Sequence, residues 1–334
     1  QRVSRWRLAD GRTLEMAADR IVPLSDDACV ASRLRIRPID FAGSFQAWLT
    51  FGANVSIAGA NDDDPRISGR LRSRWTIMPP LPGDTPSVTR FAQDAVELAY
   101  RQHVASAAAQ VAAVHAGHVV RRELVAGSVL TIDRVVAMAC ARGRPVDLAA
   151  LSDTVVGFDA IAESQSATVR ALWDRAAFAV DGDETLTAAL RFDLFQLHQS
   201  ASRDPNHGIG AKGLTGEGYE GHYFWDAETF MLPALVLQAP GSARILLAYR
   251  IGKLDRALAH ARAMGHARGA LYPWRTIAGD ECSSHYPTGS AQYHINGDIA
   301  YALALYVAAT GDEAFRAEAA AMLFETARMW MEIG

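Results

Sequence analysis

Trp225 and Asp226 stand side by side directly after a stretch holding four glycines, at 213, 216, 218 and 221. These residue types suit one chemistry. An indole offers a flat apolar face and a carboxylate offers two acceptors, whereas a sugar ring has C–H faces to stack and hydroxyls to donate. The glycines let the backbone turn sharply and approach a ligand closely. The same residues admit a structural reading, with Trp225 in the core and Asp226 capping a helix over "AETFMLPALVLQ". A second loop, "ALYPWRTIAGDECSSHYPTGSAQYHINGDIAYAL", gathers further rings, acids and histidines, and with it the sugar site is the favoured reading. Its spacing matches no usual zinc ligand set, so no metal is expected.

The elements that position these loops follow from pattern. Residues 1–151 read as strands and turns. "FQAWLTFGANVSI", "SRWTIMPP" and "LTIDRVVAMAC" are strand-like, and "ANDDDPR" and "PPLPGDTPS" are loops by their Asp, Pro and Gly content. The Ala-rich stretch 104–116 fits either helix or strand. Residues 152–183 read as a helical linker, with Val169, Leu172 and Ala176 on one face and Asp183 as the N-cap of the next helix. From 184 to 334 the apolar spacing is helical. Leu190, Leu194 and Leu197 share a face, as do Leu247, Ile251, Leu254 and Leu258, and then Ile299, Leu303 and Tyr306. The functional loops, 203–224 and 269–293, are the long connections between these runs.

Composition narrows the class. The 334 residues are half hydrophobic and 21% charged, which predicts a soluble globular chain large enough for two domains. A net charge of −4 gives no pull toward nucleic acid, and no apolar run is long enough to span a bilayer. Three scattered cysteines, Cys29, Cys140 and Cys282, argue against a disulfide framework and fit a reducing compartment, so a cytoplasmic location is expected. The chain starts at Gln1 without an initiator Met or a signal pattern, and is expected to lack its front.

Four segments carry a resemblance: "ALRFDLFQLHQSA", "IGAKGLTGEGYEGHYFWDAETFMLPAL", "GALYPWRTIAGDECS" and "AQYHINGDIAYALALY". They resemble the catalytic domain of glycoside hydrolase family 65, which includes trehalose, kojibiose and maltose phosphorylases and some inverting hydrolases. The resemblance implies a β-then-α multidomain fold: part of an N-terminal β-sandwich (1–151), a helical linker (152–183) and the first part of an (α/α)6 barrel (184–334). About five helices read from the pattern after 184, so the chain is expected to stop mid-barrel. Ala227 departs from the Thr common after "WD" in the family, a change expected to tune packing. The implied reaction is phosphorolysis of an α-linked disaccharide with inversion to β-glucose 1-phosphate. Inorganic phosphate is the co-substrate, and no cofactor is needed. Trp225 and Asp226 match the family's Trp-Asp that holds the nonreducing glucose. From the residues of the two loops, Tyr219, Glu228, Trp274, Arg275, Glu281, His294 and Asn296 are further expected substrate contacts, with a solvated loop pair the other reading of Glu281 and a local helix-entry hydrogen bond that of His294. The partners are the disaccharide and phosphate, with no nucleic acid or membrane, and a homodimer stays open. An inverting hydrolase and a non-catalytic sugar-binding remnant are the alternatives.

The family's general acid is the Glu of a "GPDEYH"-like motif, and no such motif occurs in this sequence. No catalytic residue is therefore assigned in this chain, and the general acid and the phosphate pocket are expected beyond Gly334. The isolated chain is expected to give no phosphorolysis of trehalose, kojibiose or maltose in a glucose 1-phosphate assay. Turnover by the purified chain would return Glu217, Glu228 or Glu281 to contention as the acid.

Overall fold

In the computed structural model, residues 1–25, 28–50, 76–78, 88–93, 96–114, 117–142, 144–147, 151, 156–176, 179–213 and 219–334 are described. Those through Ala171 form one compact unit, and those from Leu172 onward a second.

The first unit is built from alternation. Strand β3 (Cys29–Pro38) reads CVASRLRIRP, so Leu34 and Ile36 fall on one face and Arg33, Arg35 and Arg37 on the other. Strand β10 (Leu130–Arg142) pairs antiparallel with it, setting Leu130 against Ile36 and Ile132 against Leu34. Strands β1 (Arg2–Arg7), β2 (Thr13–Ile21), β5 (Thr76–Ile77), β6 (Val88–Gln93) and β7 (Val96–Ala105) complete a seven-stranded sheet ordered β1-β2-β3-β10-β7-β6-β5. A second sheet, ordered β4-β9-β8, is formed by β4 (Gly43–Thr50), β8 (Gln110–Val114) and β9 (Gly117–Leu124). The two sheets share one core. Ile36, Val104, Leu130 and Ile132 of the first meet Val120 and Leu124 of the second, with Phe45, Leu49 and Val111 packed alongside. The Ala-rich stretch is thus resolved as the end of β7, a turn and β8, because its alternate residues can pack between sheets. The strand read from "FQAWLTFGANVSI" is seen through Thr50; its remainder, and the loops "ANDDDPR" and "PPLPGDTPS", lie outside the described residues.

The opposite face of the large sheet carries helix α1 (Phe158–Ala176), whose Phe158 and Ile161 pack on Ala31 and Val135. Arg33 ties the two together. Its guanidinium reaches Asp133 on β10 and Asp159 on α1, each at 2.7 Å, and lies 4.4 Å over the Phe158 ring. Hydrogen bonds to both carboxylates raise the pKa of Arg33, which holds it charged.

The second unit is helical. Asp183 caps α2 (Glu184–Ser200) by accepting from the Leu186 N–H at 2.8 Å. There follow α3 (Leu232–Gln238), α4 (Pro240–Ile251), α5 (Leu254–Ala263), α6 (His294–Thr310), α7 (Glu313–Glu318) and α8 (Ala320–Ile333), with Gly334 at the C-cap position of the last. The core gathers Leu232, Leu235, Leu246, Leu247, Ile295, Ile299, Leu303 and Phe315. Two sequence expectations are corrected here. The stripe Leu247–Ile251–Leu254–Leu258 is not one helix: α4 ends at Ile251 and α5 begins at Leu254, with Gly252 and Lys253 turning the chain between. "AETFMLPALVLQ" is also split. Ala227–Met231 is a π-turn closed by the Leu232 N–H on the Ala227 carbonyl, and α3 follows. Pro233 has no N–H to donate back into that turn, so a continuous α-ladder is excluded. Among the described residues no helix is long and apolar enough to cross a membrane, and no group of three His, Cys, Asp or Glu is placed to hold a metal.

Ile132 sits at the centre of the shared sheet core, 1% exposed. Ile132→Ala is expected to cost about 2–5 kcal/mol of unfolding free energy in a urea titration, and Val129→Ala at the exposed strand end less than about 0.5 kcal/mol. Equal costs at the two positions would contradict the shared core.

Candidate functional site

The two loops meet through a short antiparallel ladder. Strand β11 (Tyr223–Phe224) pairs with β12 (Arg275–Thr276), with Tyr223 opposite Thr276 and Phe224 opposite Arg275. This ladder brings rings from both loops together. Phe224 stands edge-on to Trp274 and to Tyr219, with ring centroids 5.3 Å apart in each pair. Trp225 is propped from the other side by His294, edge-on at 4.7 Å, and by Phe230 at 5.9 Å.

Tyr219, Phe224, Trp225 and Trp274 line an open cleft of about 410 Å³, together with Ile209, Ala211, Asp226, Ala227 and Met231. Asp226 is exposed and stands at the N-cap position of the π-turn, yet its side chain makes no capping hydrogen bond. Its backbone is already helical, at φ −52 and ψ −30. Both Trp225 and Asp226 nonetheless line the cleft. The cleft therefore offers flat apolar walls and one unspent carboxylate, a surface able to stack a ring and accept from its hydroxyls.

Beneath the cleft lies a buried ion pair. Arg250 and Glu228 are both 0% exposed. Arg250 donates to the Glu228 carboxylate from Nε at 2.6 Å and from Nη2 at 3.1 Å, and the Tyr223 hydroxyl donates to the same carboxylate at 2.7 Å. The guanidinium lies 4.5 Å over the Tyr223 ring and 5.9 Å over that of Tyr272, whose hydroxyl donates to the Arg250 carbonyl. Burial alone would lower the pKa of Arg250, but the adjoining carboxylate more than reverses this, and the guanidinium stays charged. Burial, then the same carboxylate, pushes the Tyr223 phenol well above its usual value and keeps it a donor.

The expected substrate contacts divide accordingly. Tyr219, Trp225, Asp226 and Trp274 come together in the cleft. Arg275 stands beside it, half-buried, with Nη2 3.3 Å from Nδ1 of His222. Glu228 does not reach the cleft, because it lies on the inner side of the turn and is spent on Arg250 and Tyr223. Asn296 is buried and holds the second loop, accepting from the Tyr272 N–H at 3.1 Å and donating to the Ala270 carbonyl at 2.7 Å. Glu281 accepts from the Trp274 and Ser283 N–H groups, both at 2.6 Å. His294 has both ring nitrogens engaged, by Asp298 and Gln292. Glu217 lies outside the described residues, as do Gly216 and Gly218. Sequence reasoning did not single out Phe224, Tyr223, Tyr272 or Arg250. Arg250 reads as an ordinary last-turn cation in "LLAYRIG", and only its burial distinguishes it.

Two glycines behave differently. Gly221 has φ +74 with open space around it, whereas a Cβ on Gly208 would stand 2.2 Å from the Tyr223 ring. Gly221→Ala is expected to cost about 1–2 kcal/mol through backbone strain. Gly208→Ala should cost about 1–3 kcal/mol and also displace Tyr223 from Glu228. A crystal structure of Gly208→Ala with Tyr223 unmoved would contradict the close packing.

Residues 1–172 match the glycosyl hydrolase family 65 N-terminal domain, and residues 191–334 match the glycosyl hydrolase family 65 central catalytic domain. The whole chain is 34% identical to the α,α-trehalose phosphorylases of Thermoanaerobacter brockii and Geobacillus stearothermophilus, covering 45% of each. A kojibiose phosphorylase of Caldanaerobacter subterraneus subsp. tengcongensis is 41% identical over 188 residues, 52% of this chain and 24% of that protein. A solved structure from the human microbiome, described only provisionally as a kojibiose phosphorylase, shares the fold at a TM-score of 0.78 and 21% identity, over 94% of this chain and 42% of its own. The chain thus spans just under half the length of the trehalose phosphorylases it matches from end to end. With a family domain matched over more than half of its residues, the chain belongs to glycosyl hydrolase family 65.

Proposed function

We propose that this chain supplies the sandwich (1–151), the linker (152–183) and the first part of the (α/α)6 catalytic barrel (184–334) of an inverting disaccharide phosphorylase. The observation that carries the reading is the cleft, in which Asp226 is exposed, makes no capping bond and stands among Trp225, Trp274, Tyr219 and Phe224. In this reading the nonreducing glucose of an α-linked disaccharide stacks against the indoles, and Asp226 accepts from its hydroxyls. Arg275, paired with Phe224 across the β11–β12 ladder, is the candidate donor at the cleft edge. The end-to-end likeness to trehalose phosphorylases makes α,α-trehalose the first substrate to assay, with kojibiose and maltose after it.

The chemistry asked of the complete protein is a single displacement. A carboxylic acid gives its proton to the glycosidic oxygen as the bond from that oxygen to the anomeric carbon breaks. In this reading that acid lies beyond Gly334. Two observations support this: no "GPDEYH"-like motif occurs up to that residue, and the acids Glu228 and Glu281 are engaged in holding the turn and the second loop. A phosphate oxygen forms the new bond from the opposite face, leaving β-glucose 1-phosphate and the free sugar. Phosphate arrives as an anion, so it needs donors rather than the second carboxylate that an inverting hydrolase uses to activate water. The role of this chain's residues is to hold the glucosyl ring where positive charge develops. A carboxylate fixed on one side of that ring is stabilising there.

In the full-length protein, Asp226→Ala is expected to lower kcat/KM for trehalose phosphorolysis by roughly tenfold to a few hundredfold, the worth of one charged hydrogen bond. Its melting temperature should change little, since no capping bond is lost. Unchanged kinetics together with a lowered melting temperature would show that Asp226 serves the helix and not a sugar.

A further inference from the structure

The buried Glu228–Arg250 pair is the largest piece of ionic chemistry in the helical unit that the proposed reaction does not use. Burying two charges is a costly way to hold a core, because apolar side chains of the same volume commonly do so as well or better. What the pair adds is direction. Two donors from one planar guanidinium meet the two oxygens of one carboxylate, which fixes the angle of the side chain as well as its distance.

That angle matters because of where Glu228 sits. It lies two residues after Asp226 in the same widened turn, and its own N–H closes back on the Trp225 carbonyl at 3.0 Å. In the wide winding of this turn, side chains two residues apart project toward nearly opposite sides of the axis. Pulling Glu228 inward therefore turns Asp226 outward, into the cleft. Without such an anchor the widened turn is free to settle in another rotation, in which the residues after Trp225 would point elsewhere. The third donor to Glu228 is Tyr223, on the strand that pairs with the second loop, so the same carboxylate also sets the distance between the two walls of the cleft.

We propose that Glu228 and Arg250 are positioning residues for the sugar cleft: their ion pair holds the π-turn in the rotation that presents Asp226 and Trp225 together. This rests on the sugar-site reading of Asp226. Neither residue touches the substrate, and each acts through the turn.

The test is a double-mutant cycle in the full-length protein, reading D-glucose affinity by calorimetry alongside KM and kcat for trehalose phosphorolysis. The neutral pair Glu228→Gln with Arg250→Met removes the clamp without stranding a buried charge. It is expected to melt cooperatively and to weaken glucose binding about tenfold, with KM rising more than kcat falls. In an Asp226→Ala background the same pair should change glucose affinity by less than about twofold, because the residue it positions is already gone. Wild-type glucose affinity in the folded neutral pair overturns the proposal, as does an undiminished loss in the Asp226→Ala background. Should the neutral pair not fold, Arg250→Lys decides, because it keeps the charge and gives up the two-point fork. Weakened glucose binding in that variant supports the proposal and unchanged binding overturns it. If Asp226→Ala alone binds glucose as the wild type does, the sugar-site reading fails and takes this one with it. If Asp226→Ala binds weakly and the clamp variants bind normally, only the positioning role is lost.

Discussion

The Glu228–Arg250 ion pair is the interaction on which the site depends. A carboxylate without exposure to water must have its charge matched and its lone pairs filled, and here both are done by a fork from α4 and a hydroxyl from β11. Each partner belongs to a different part of the helical unit. Arg250 closes α4, Glu228 sits in the π-turn before α3, and Tyr223 belongs to the ladder joining the two loops. Tyr272 binds the Arg250 carbonyl from the second loop. Removing Arg250 or Glu228 would strand a buried charge, and with Tyr223 and Tyr272 bound to the pair the four segments are tied to one another.

Above this layer the cleft is organised by rings. The edge-on chain Tyr219–Phe224–Trp274 forms one wall, and Trp225, braced by His294 and Phe230, forms another. Aromatic side chains lose little freedom on packing, since each has only two torsions to fix, and they present faces of defined direction. The polar residues of the second loop mostly build the loop itself. Glu281 and Asn296 satisfy its backbone donors and acceptors, which an irregular segment cannot satisfy among its own groups. This is the physical reason why so many candidate contacts in one short span leave few in the cleft: a long loop consumes side chains to stay ordered.

Much of the architecture was legible in order. The run "LTIDRVVAMAC", read as a strand from its residues, is part of β10, and the structure pairs it with β3. Asp183 was readable as a cap because an Asp just before a helical run has one local task, which needs no distant partner. Failures came where the outcome depended on something far away in sequence. Gly252 interrupts an apolar stripe that looks continuous, and Pro233 lies in a run whose helical spacing conceals a change of winding. Gly208 is demanded by a tyrosine ring fifteen residues on, at 2.2 Å from where its Cβ would stand, and nothing local signals it.

Sequence by itself determined which chemistry could be assembled: rings, one carboxylate beside an indole, and glycines to bring backbone near a ligand. It also determined the succession of strands and then helices, because periodicity is a local property of each segment. Only the tertiary structure decided how the acids divide. Asp226 and Glu228 are two residues apart and of the same charge type, and the sequence placed both at the substrate, Asp226 first. One faces solvent and the other lies against Arg250 with no exposure at all. The division follows from the rotation of a single turn, and that rotation is set by partners at positions 223 and 250, which no local pattern connects to it.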